Sequence, residues 1–458
     1  MVLTKRFLSA FVCILVCQTV LFSQVLTMEG AVEATLSQYP TLAAQRAALE
    51  AIRANARVVR DNRLPNVRLH DQINVGTANG LSGSYFSLGL IVPTSGGRRS
   101  ENRMDLASGN IALATMDWEV YNFGRFKAED QLARTDISVS ESALERERFG
   151  LRQVAINTYL DLLQLNQQLK IEERNLARVD TIRRIITNLV RNGIKPGLDS
   201  SLVMVQVSKA KMAYWQVLES YQQAITQLAT LTGRPSRQLQ IDTVFSITPA
   251  LTMRADPGIN PGHPLLNYRE NVAMRQAAEI DVMRKAALPR VSLLTAAWAR
   301  GSSIDVENNY GSLGSGLLYS RGNVLAGVAI TVNLTDFRRS SHRVQLQQFR
   351  IKEADSQLAT EQLQLRNMMT AADSVMAVMQ FELREIPKAI RSAADAYDQR
   401  LSRYNNGLEN ILGLTDALQL LVSVEKDYVL LQSRAAKVQL QKAYATNNFE
   451  AFFALFRH

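Results

Sequence analysis

Two long stretches of the chain repeat one another at a nearly fixed distance, and a duplication of this size restricts the fold to one built from two copies of a single unit. Tyr39-Pro40-Thr41-Leu42 is echoed by His263-Pro264-Leu265-Leu266, and Leu64-Pro65-Asn66-Val67-Arg68-Leu69 by Leu288-Pro289-Arg290-Val291-Ser292-Leu293, both 224 residues on. Ala54 with Ala278 and Arg60 with Arg284 keep that spacing. Asn122-Phe123-Gly124-Arg125 then lines up with Asp336-Phe337-Arg338-Arg339, Asn192-Gly193 with Asn406-Gly407, and Tyr214 with Tyr428, now at 214. The offset changes between about residues 70 and 110, a glycine- and serine-rich region where loops tolerate insertion.

Each copy carries the same local signals in the same order. Leu26 to Arg63 is alanine-rich and suits a helix. Leu64-Pro65 stops it, because proline clashes with the preceding turn and drives its neighbour into an extended state. Val67, Leu69, Ile73 and Val75 then alternate with Asn66, Arg68, His70, Gln72 and Asn74, with Asp71 as the exception. That is a strand with one apolar and one wet face. Returning segments alternate likewise: Ala112, Ala114, Met116, Trp118 and Val120 in one copy, Ala326, Val328, Ile330, Val332 and Leu334 in the other. Trp118, Tyr121 and Phe123 gather at one end, where an aromatic girdle of a membrane barrel would sit. A soluble sandwich alternates in the same way, so strands alone leave that choice open.

The next element decides between them. Arg125 to Val190 contains no proline and one glycine, Gly150. At 1.5 Å per residue it predicts on the order of 100 Å of helix, far beyond ordinary globular lengths. Leu151, Ala155, Leu162, Leu165, Leu169, Leu176, Val179, Ile186 and Val190 form a heptad seam interrupted by Thr158, Glu172 and Arg183, and such a seam calls for another helix beside it. Arg338 to Arg403 repeats the design, broken at Pro387. Turn residues from Arg191 to Gly197 end the first long helix, and a returning helix runs to about Leu231, closed by Thr232-Gly233-Arg234-Pro235. The predicted organisation is a leader at 1–23, a first unit at 24–240 with a strand pair at about 65–122 and a helical hairpin at about 124–232, and a second unit at 241–458 with the equivalents at about 289–335 and 337–447.

The leader reads as an export signal: Lys5 and Arg6 precede the apolar run from Phe7 to Phe22, with cleavage expected near Ser23. Both cysteines, Cys13 and Cys17, lie inside it, so a chain cut there has no thiol for disulfides or catalysis. A lipid anchor on Cys17 is the competing reading, against which Val16 stands where a small residue belongs. No later stretch reaches the roughly 20 apolar residues of a membrane helix, the longest lying near Leu325 to Leu334. Any crossing must then be a barrel, since in lipid only helices and closed sheets pair every backbone amide. The formal charge of +10 comes from 52 basic and 42 acidic residues, with arginines scattered beside glutamates on helical stretches. That pattern describes solvated faces better than a nucleic-acid surface.

The arrangement of Leu64-Pro65 and Leu288-Pro289 before strands, and of Gly193 and Gly407 at hairpin turns, resembles the TolC-like outer membrane efflux protein family from Leu26 to about Asn448. The resemblance implies a mainly α fold with a small β part. In such a fold duplicated hairpins form an α-barrel, and four strands per subunit join a trimeric twelve-stranded transmembrane β-barrel. Four strands cannot close alone, so subunits must share the barrel. It further implies an outer-membrane exit duct of a tripartite efflux pump or type I secretion system, with a large periplasmic extension in a Gram-negative bacterium. The duct would be a passive conduit for small molecules or polypeptides. Its partners would be a periplasmic adaptor, an inner-membrane transporter and outer-membrane lipid, with no nucleic acid and no cofactor.

For the periplasmic tip, the resemblance assigns Asp199, Tyr404 and Asp416 to a gate and places Gly193 and Gly407 at turns that contact the adaptor. Gly413 stands where the family carries an acidic residue, and Glu409 where an arginine of the closing network often occurs, which implies one carboxylate ring rather than two. Helix capping is the alternative role for Asp199 and Asp416, and the more favoured one for Asp199. Leu64, Pro65, Phe123, Gly124, Leu288, Pro289 and Phe337 are expected at junctions between barrel and helices. Gly96-Gly97-Arg98-Arg99 also suits such a junction, but the 214-residue spacing selects Phe123. Arg98, Arg99 and Arg103 either meet anionic lipid or are solvated.

An enzyme is not expected. His70, His263, His342 and His458 are scattered, and neither a His-Glu-x-x-His motif nor a phosphate loop occurs. Gly314-Ser315-Gly316 lacks the spacing of a nucleophile elbow and reads as a loop tip. The rival class is a periplasmic coiled-coil adaptor, which carries one hairpin where this chain carries two.

Overall fold

The computed structural model describes residues 25–80, 100–242 and 258–456. The leader with Cys13 and Cys17, and the Gly96 to Arg99 segment, lie outside the described residues. In chain order the elements are α1 (Met28–Gln38), α2 (Pro40–Asp61), β1 (Asn66–Gly76), β2 (Ala107–Tyr121), α3 (Arg125–Arg191), α4 (Gly197–Thr232), α5 (Pro264–Ala286), β3 (Arg290–Ser302), β4 (Arg321–Thr331), α6 (Asp336–Asn405), α7 (Ile411–Thr446) and α8 (Phe449–Ala454). The fold is mainly helical with one four-stranded antiparallel sheet, in the order β1-β2-β3-β4.

Three local expectations are corrected. The helix read from Leu26 to Arg63 is two helices, because Pro40 holds Tyr39 extended at ψ 125° and then serves as the first residue of α2. Pro387 does not break α6, which runs through it. Its ring is exposed, so the carbonyl that loses its amide partner can turn to water. Val332 and Leu334 continue the apolar alternation but fall beyond β4, where the Asn333 side chain accepts from the Thr335 amide at 3.3 Å and hydroxyl at 2.9 Å and turns the chain. Phe337 is the second residue of α6, at the junction between β4 and the helix. Its counterpart Phe123 precedes α3 in a left-handed turn with Gly124, at φ 52° and 88°. Arg338 stands in place of Gly124 and cannot adopt that backbone cheaply, so the second helix starts earlier.

The chain separates into two compact units, each drawing on both halves of the sequence. One comprises 50–139 and 271–354 and contains the sheet. Register pairs Asp71 with Ala112, Ala112 with Ala299, and Ala299 with Gly322, which fixes the two faces. Val67, Leu69, Ile73 and Val75 share a face with Ala114, Met116, Ala297, Val324, Val328 and Ile330, whereas Arg68, His70, Gln72, Asp117, Arg300 and Asn323 share the other. β1 and β4 each have a single partner, leaving an unpaired edge on both sides. All four helical connections enter or leave at one end of the sheet, through residues 61–66, 121–125, 286–290 and 331–336. There Leu64 and Leu288 donate to the carbonyls three residues back, Asp61 at 2.9 Å and Lys285 at 3.1 Å, before Pro65 and Pro289 open the strands. Trp118 Nε1 donates to the Arg63 carbonyl at 2.9 Å, and Arg63 reaches the Phe126 carbonyl at 3.1 Å, fastening the end of α2 to the start of α3. Arg103 pairs with Asp105 at 3.4 Å and stacks on Tyr310.

The other unit comprises the described residues of 1–49, 140–270 and 355–458. One apolar cluster joins Leu26, Met28 and Val32 to Ile156, Tyr159, Leu163, Leu228 and Leu440. Its centre is Tyr159, 1% exposed, whose hydroxyl donates to the Leu26 carbonyl at 2.9 Å and accepts from the Asp242 amide at 3.2 Å. Burial lifts that phenol well above its ordinary pKa, so it keeps its proton. A second cluster, with Ile182, Ile186, Val203, Tyr397, Leu414 and Leu418, fills the space between the hairpins near their turns. The heptad seam of α3 captures only part of this packing. Ile156, Tyr159, Leu160, Leu163, Ile171 and Ile182 are buried beside it, because α3 packs on more than one side. Two of its polar interruptions are themselves buried: Thr158 donates to the Val154 carbonyl, and Glu172, 0% exposed, pairs with Lys426.

Candidate functional site at the hairpin turns

Both turns reverse the chain by the same device. Gly193 at φ 71° and Gly407 at φ 76° take left-handed backbone that a side chain would strain. The Ile194 amide donates to the Leu189 carbonyl and the Leu408 amide to the Arg403 carbonyl, both at 2.9 Å. Gly193 and Gly407 donate in turn to Val190 at 3.0 Å and Tyr404 at 3.1 Å, giving a Schellman motif at each end. A Cβ on either glycine would meet open space, so backbone conformation and not crowding selects glycine.

Beyond the turns the two copies diverge. α7 is capped by Asn410, whose side chain accepts from the Gly413 amide at 2.8 Å, while Pro196 precedes α4 and offers no side-chain cap. Asp199 lies in the first turn of α4, where helix polarity favours a negative charge, but it is not the capping residue. It accepts a hydrogen bond from Tyr404, which is fully buried, at 3.3 Å. Burial and the neighbouring Asp199 charge push the Tyr404 phenol up to about 12, so it stays a donor. Lys195 lies over the Tyr404 ring at 5.0 Å and donates to the Glu409 carbonyl at 3.3 Å, a second tie between the two turns.

Glu409 faces Arg400 at 2.7 Å and Arg403 at 3.9 Å. Burial drives its carboxyl upward, but the Asn410 amide and the two guanidinium groups outweigh that and hold it below the ordinary range. A Cβ at Gly413 would come within 2.6 Å of Arg400 and 2.7 Å of Glu409. The position that lacks an acidic residue is therefore the one over which this ion pair lies. Asp416 stands exposed in the second turn of α7 and takes no capping position there.

The structure thus brings Asp199 and Tyr404 together and leaves Asp416 facing solvent. Lys195 was not singled out by the sequence reading, although a signal was present. The 214-residue spacing carries Lys195 onto Glu409 and Asp199 onto Gly413, so equivalent places at the two turns hold opposite or missing charges. His263 is buried, with Nε2 2.9 Å from the Tyr444 carbonyl and Nδ1 accepting from the Leu265 amide at 3.3 Å. Burial lowers its pKa and keeps it neutral. Among the described residues, no three His, Cys, Asp or Glu side chains gather to hold a metal ion, and no helix is long and apolar enough to cross a membrane.

A sheet with one apolar face and two open edges, joined at one end to paired long helical hairpins, defines an outer-membrane channel fold. Residues 31–234 match the family model described as "Outer membrane efflux protein". The pyoverdine export outer membrane protein OpmQ of Pseudomonas aeruginosa is 24% identical over 349 residues, covering 73% of this chain and 69% of that protein. The outer-membrane channel OprN superposes with a TM-score of 0.72 at 19% identity, covering 92% of this chain and 90% of that one. The outer membrane protein VceC of Vibrio cholerae gives 0.71 at 17%, covering 92% and 95%. Over residues 31–234 the chain is thus similar to the outer membrane efflux proteins, a family of channels and not of enzymes, and it shares the fold of the solved channels.

Proposed function

We propose that the protein is the outer-membrane exit duct of a tripartite efflux pump or type I secretion system, a passive conduit that works as a homotrimer. The observation that carries this reading is the sheet. Its β1 and β4 edges are unpaired, and Leu69, Val324, Val328 and Ile330 stand exposed on one face, at 79%, 84%, 70% and 71%. Three such sheets joined edge to edge make a closed barrel of twelve strands, satisfying every backbone amide and directing Arg68, Gln72, Arg300 and Asn323 into an aqueous bore. The two structural repeats, 24–240 and 241–458, each supply a strand pair and a hairpin, and the hairpins form the periplasmic tunnel. A heat-modifiable trimer retained in the outer membrane after salt washing is the expected result. Release by salt as a soluble monomer overturns the reading.

At the tunnel tip, Asp199 and Tyr404 hold the two hairpins of one subunit together, and Asp416 from three subunits forms a ring that attracts cations and repels itself. Gly193 and Gly407 keep the turns compact enough to meet the hairpins of a periplasmic adaptor, itself bound to an inner-membrane transporter. Asp416→Ala is expected to raise single-channel conductance and weaken block by divalent cations, and unchanged conductance removes the ring. Crosslinkers placed beside Gly193 or Gly407 that never capture an adaptor remove the docking role.

A further inference from the structure

The connection between β3 and β4 does not project from the end of the sheet. After a bridge between Ile304 and Tyr310 it forms a short 3-10 turn at Leu313–Leu317 and doubles back over one face. The residues beneath it identify that face. Ser108 and Asn110 on β2 and Asp71 on β1 belong to the apolar side by register, and they interrupt its pattern. Each is engaged by the returning segment. The Ser108 hydroxyl donates to the Leu313 carbonyl, Asn110 Nδ2 donates to the Leu317 carbonyl at 3.2 Å, and the Tyr319 hydroxyl donates to Asp71 Oδ1 at 2.9 Å. The Ser315 hydroxyl turns back to the Ser312 carbonyl at 2.7 Å, and the Ser320 amide rejoins the sheet at the Arg300 carbonyl at 2.8 Å.

Two glycines permit this close approach. A Cβ at Gly316 would stand 2.2 Å from the Ser108 hydroxyl and 2.5 Å from its carbonyl, and one at Gly301 would overlap the Leu318 carbonyl. Its large apolar side chains stand outward: Leu313, Leu317, Leu318 and Tyr319 are 44%, 43%, 74% and 48% exposed. The Leu313 and Leu317 carbonyls and the Tyr319 hydroxyl bond to the sheet beneath while the leucines stand exposed, an arrangement suited to hydrocarbon.

We propose that residues 313–319 are a lipid-facing strap, laid across the outer wall of the barrel from β3 toward β1, whose leucines enter the acyl chains of the bilayer. The occupant is lipid because the strap continues the apolar surface of Leu69, Val324 and Val328, and the proposal rests on the reading that this surface meets the membrane. In this view Asp71, Asn110 and Ser108 are on the apolar face to satisfy the strap.

The test uses full-length protein reconstituted in dioleoylphosphatidylcholine vesicles, with a nitroxide label in turn at Leu318→Cys, Val328→Cys and Asn323→Cys, and compares collision with oxygen and with a water-soluble nickel chelate. Labels at 318 and 328 are expected to favour oxygen, to within about twofold of each other, and the label at 323 to favour nickel. Nickel access at 318 beside oxygen access at 328 overturns the strap alone. Nickel access at both positions overturns the membrane reading and the strap with it. Protection of 318 from both reagents places protein over the segment and also overturns the proposal. Gly316→Val, which the Ser108 contact cannot accommodate, is expected to shift the 318 label toward nickel, whereas Gly314→Val, with nothing within 4 Å of its Cβ, leaves it unchanged.

Discussion

α4 and α7 are equivalent in the repeat, are both 36 residues long, and yet are packed in opposite ways. Seventeen residues of α7 are buried against eight of α4. The difference follows a single register. Leu198, Val205, Met212 and Trp215 of α4, with Ser201 and Ser208 between them, form an exposed heptad stripe at 66%, 52%, 57% and 61% for the four large residues. The positions 214 residues on read Leu412, Thr415, Gln419, Val422, Lys426 and Val429, of which Thr415, Val422 and Val429 are buried. One copy thus buries half of this register within the chain. The other displays a seam that suits a neighbouring helix from another chain, which is where the proposed trimer gains a specific contact.

The largest test of this contrast is stability. Leu414→Ala, at a fully buried position of α7, is expected to cost about 2–5 kcal/mol. Met212→Ala on the exposed stripe of α4 is expected to change protomer stability by less than about 0.5 kcal/mol. Thermal melts of the detergent-solubilised protein compare the two, and equal losses erase the distinction. Assembly should respond the other way round. Trp215→Glu is expected to lower the trimer fraction on semi-native gels by roughly tenfold, and Leu430→Glu on α7 by less than about threefold.

The turns sharpen the same comparison on a smaller scale. Tyr404→Phe removes the donor to Asp199 and is expected to cost about 0.5–1.5 kcal/mol. A double-mutant cycle with Asp199→Asn should show the two losses to be coupled, and strict additivity would show that the bond contributes nothing. The smallest effect concerns the far end of α7, where His263 contacts the Tyr444 carbonyl. Burial places the folded pKa of His263 below its ordinary 6.5, so the unfolded chain takes up the proton first. Its contribution is therefore complete above about pH 6.5 and is lost as pH falls through that value toward the lower folded pKa, by at most about 1.4 kcal/mol per pH unit. Melting temperatures between pH 7.5 and 5.5 should fall less steeply in His263→Gln.

Much of the fold was legible because its signals are local and strong. Alternation from Val67 to Val75 and the breaker-free run from Arg125 each specify one kind of local structure, a strand and a helix. Where reading failed, a weaker local rule was masked by a stronger pattern. Tyr39-Pro40 carried its own stop signal but sat inside an alanine-rich run, and Val332 and Leu334 extended an alternation that Asn333 had already ended. The second buried stripe of α3 could not be read from one heptad seam, since a helix packed on several sides obeys no single period. At the tip, Tyr404 and Asp199 stand 205 residues apart in sequence, and their contact at 3.3 Å depends on how two hairpins meet. The charge exchange between Lys195 and Glu409, by contrast, was written in the repeat and needed only a residue-by-residue comparison.

The order of the sheet also constrains how the protein is made. β2 pairs with β3 from Gly109 to Tyr121, but β3 begins at Arg290, after an entire helical hairpin has been synthesised. The first ribbon must wait with an open hydrogen-bonding edge while that hairpin emerges, and pairing across such a sequence distance is slow. During export, therefore, the newly made chain passes through an interval in which half a sheet is vulnerable to wrong partners, and a chaperone able to shield a strand edge would find its binding site there.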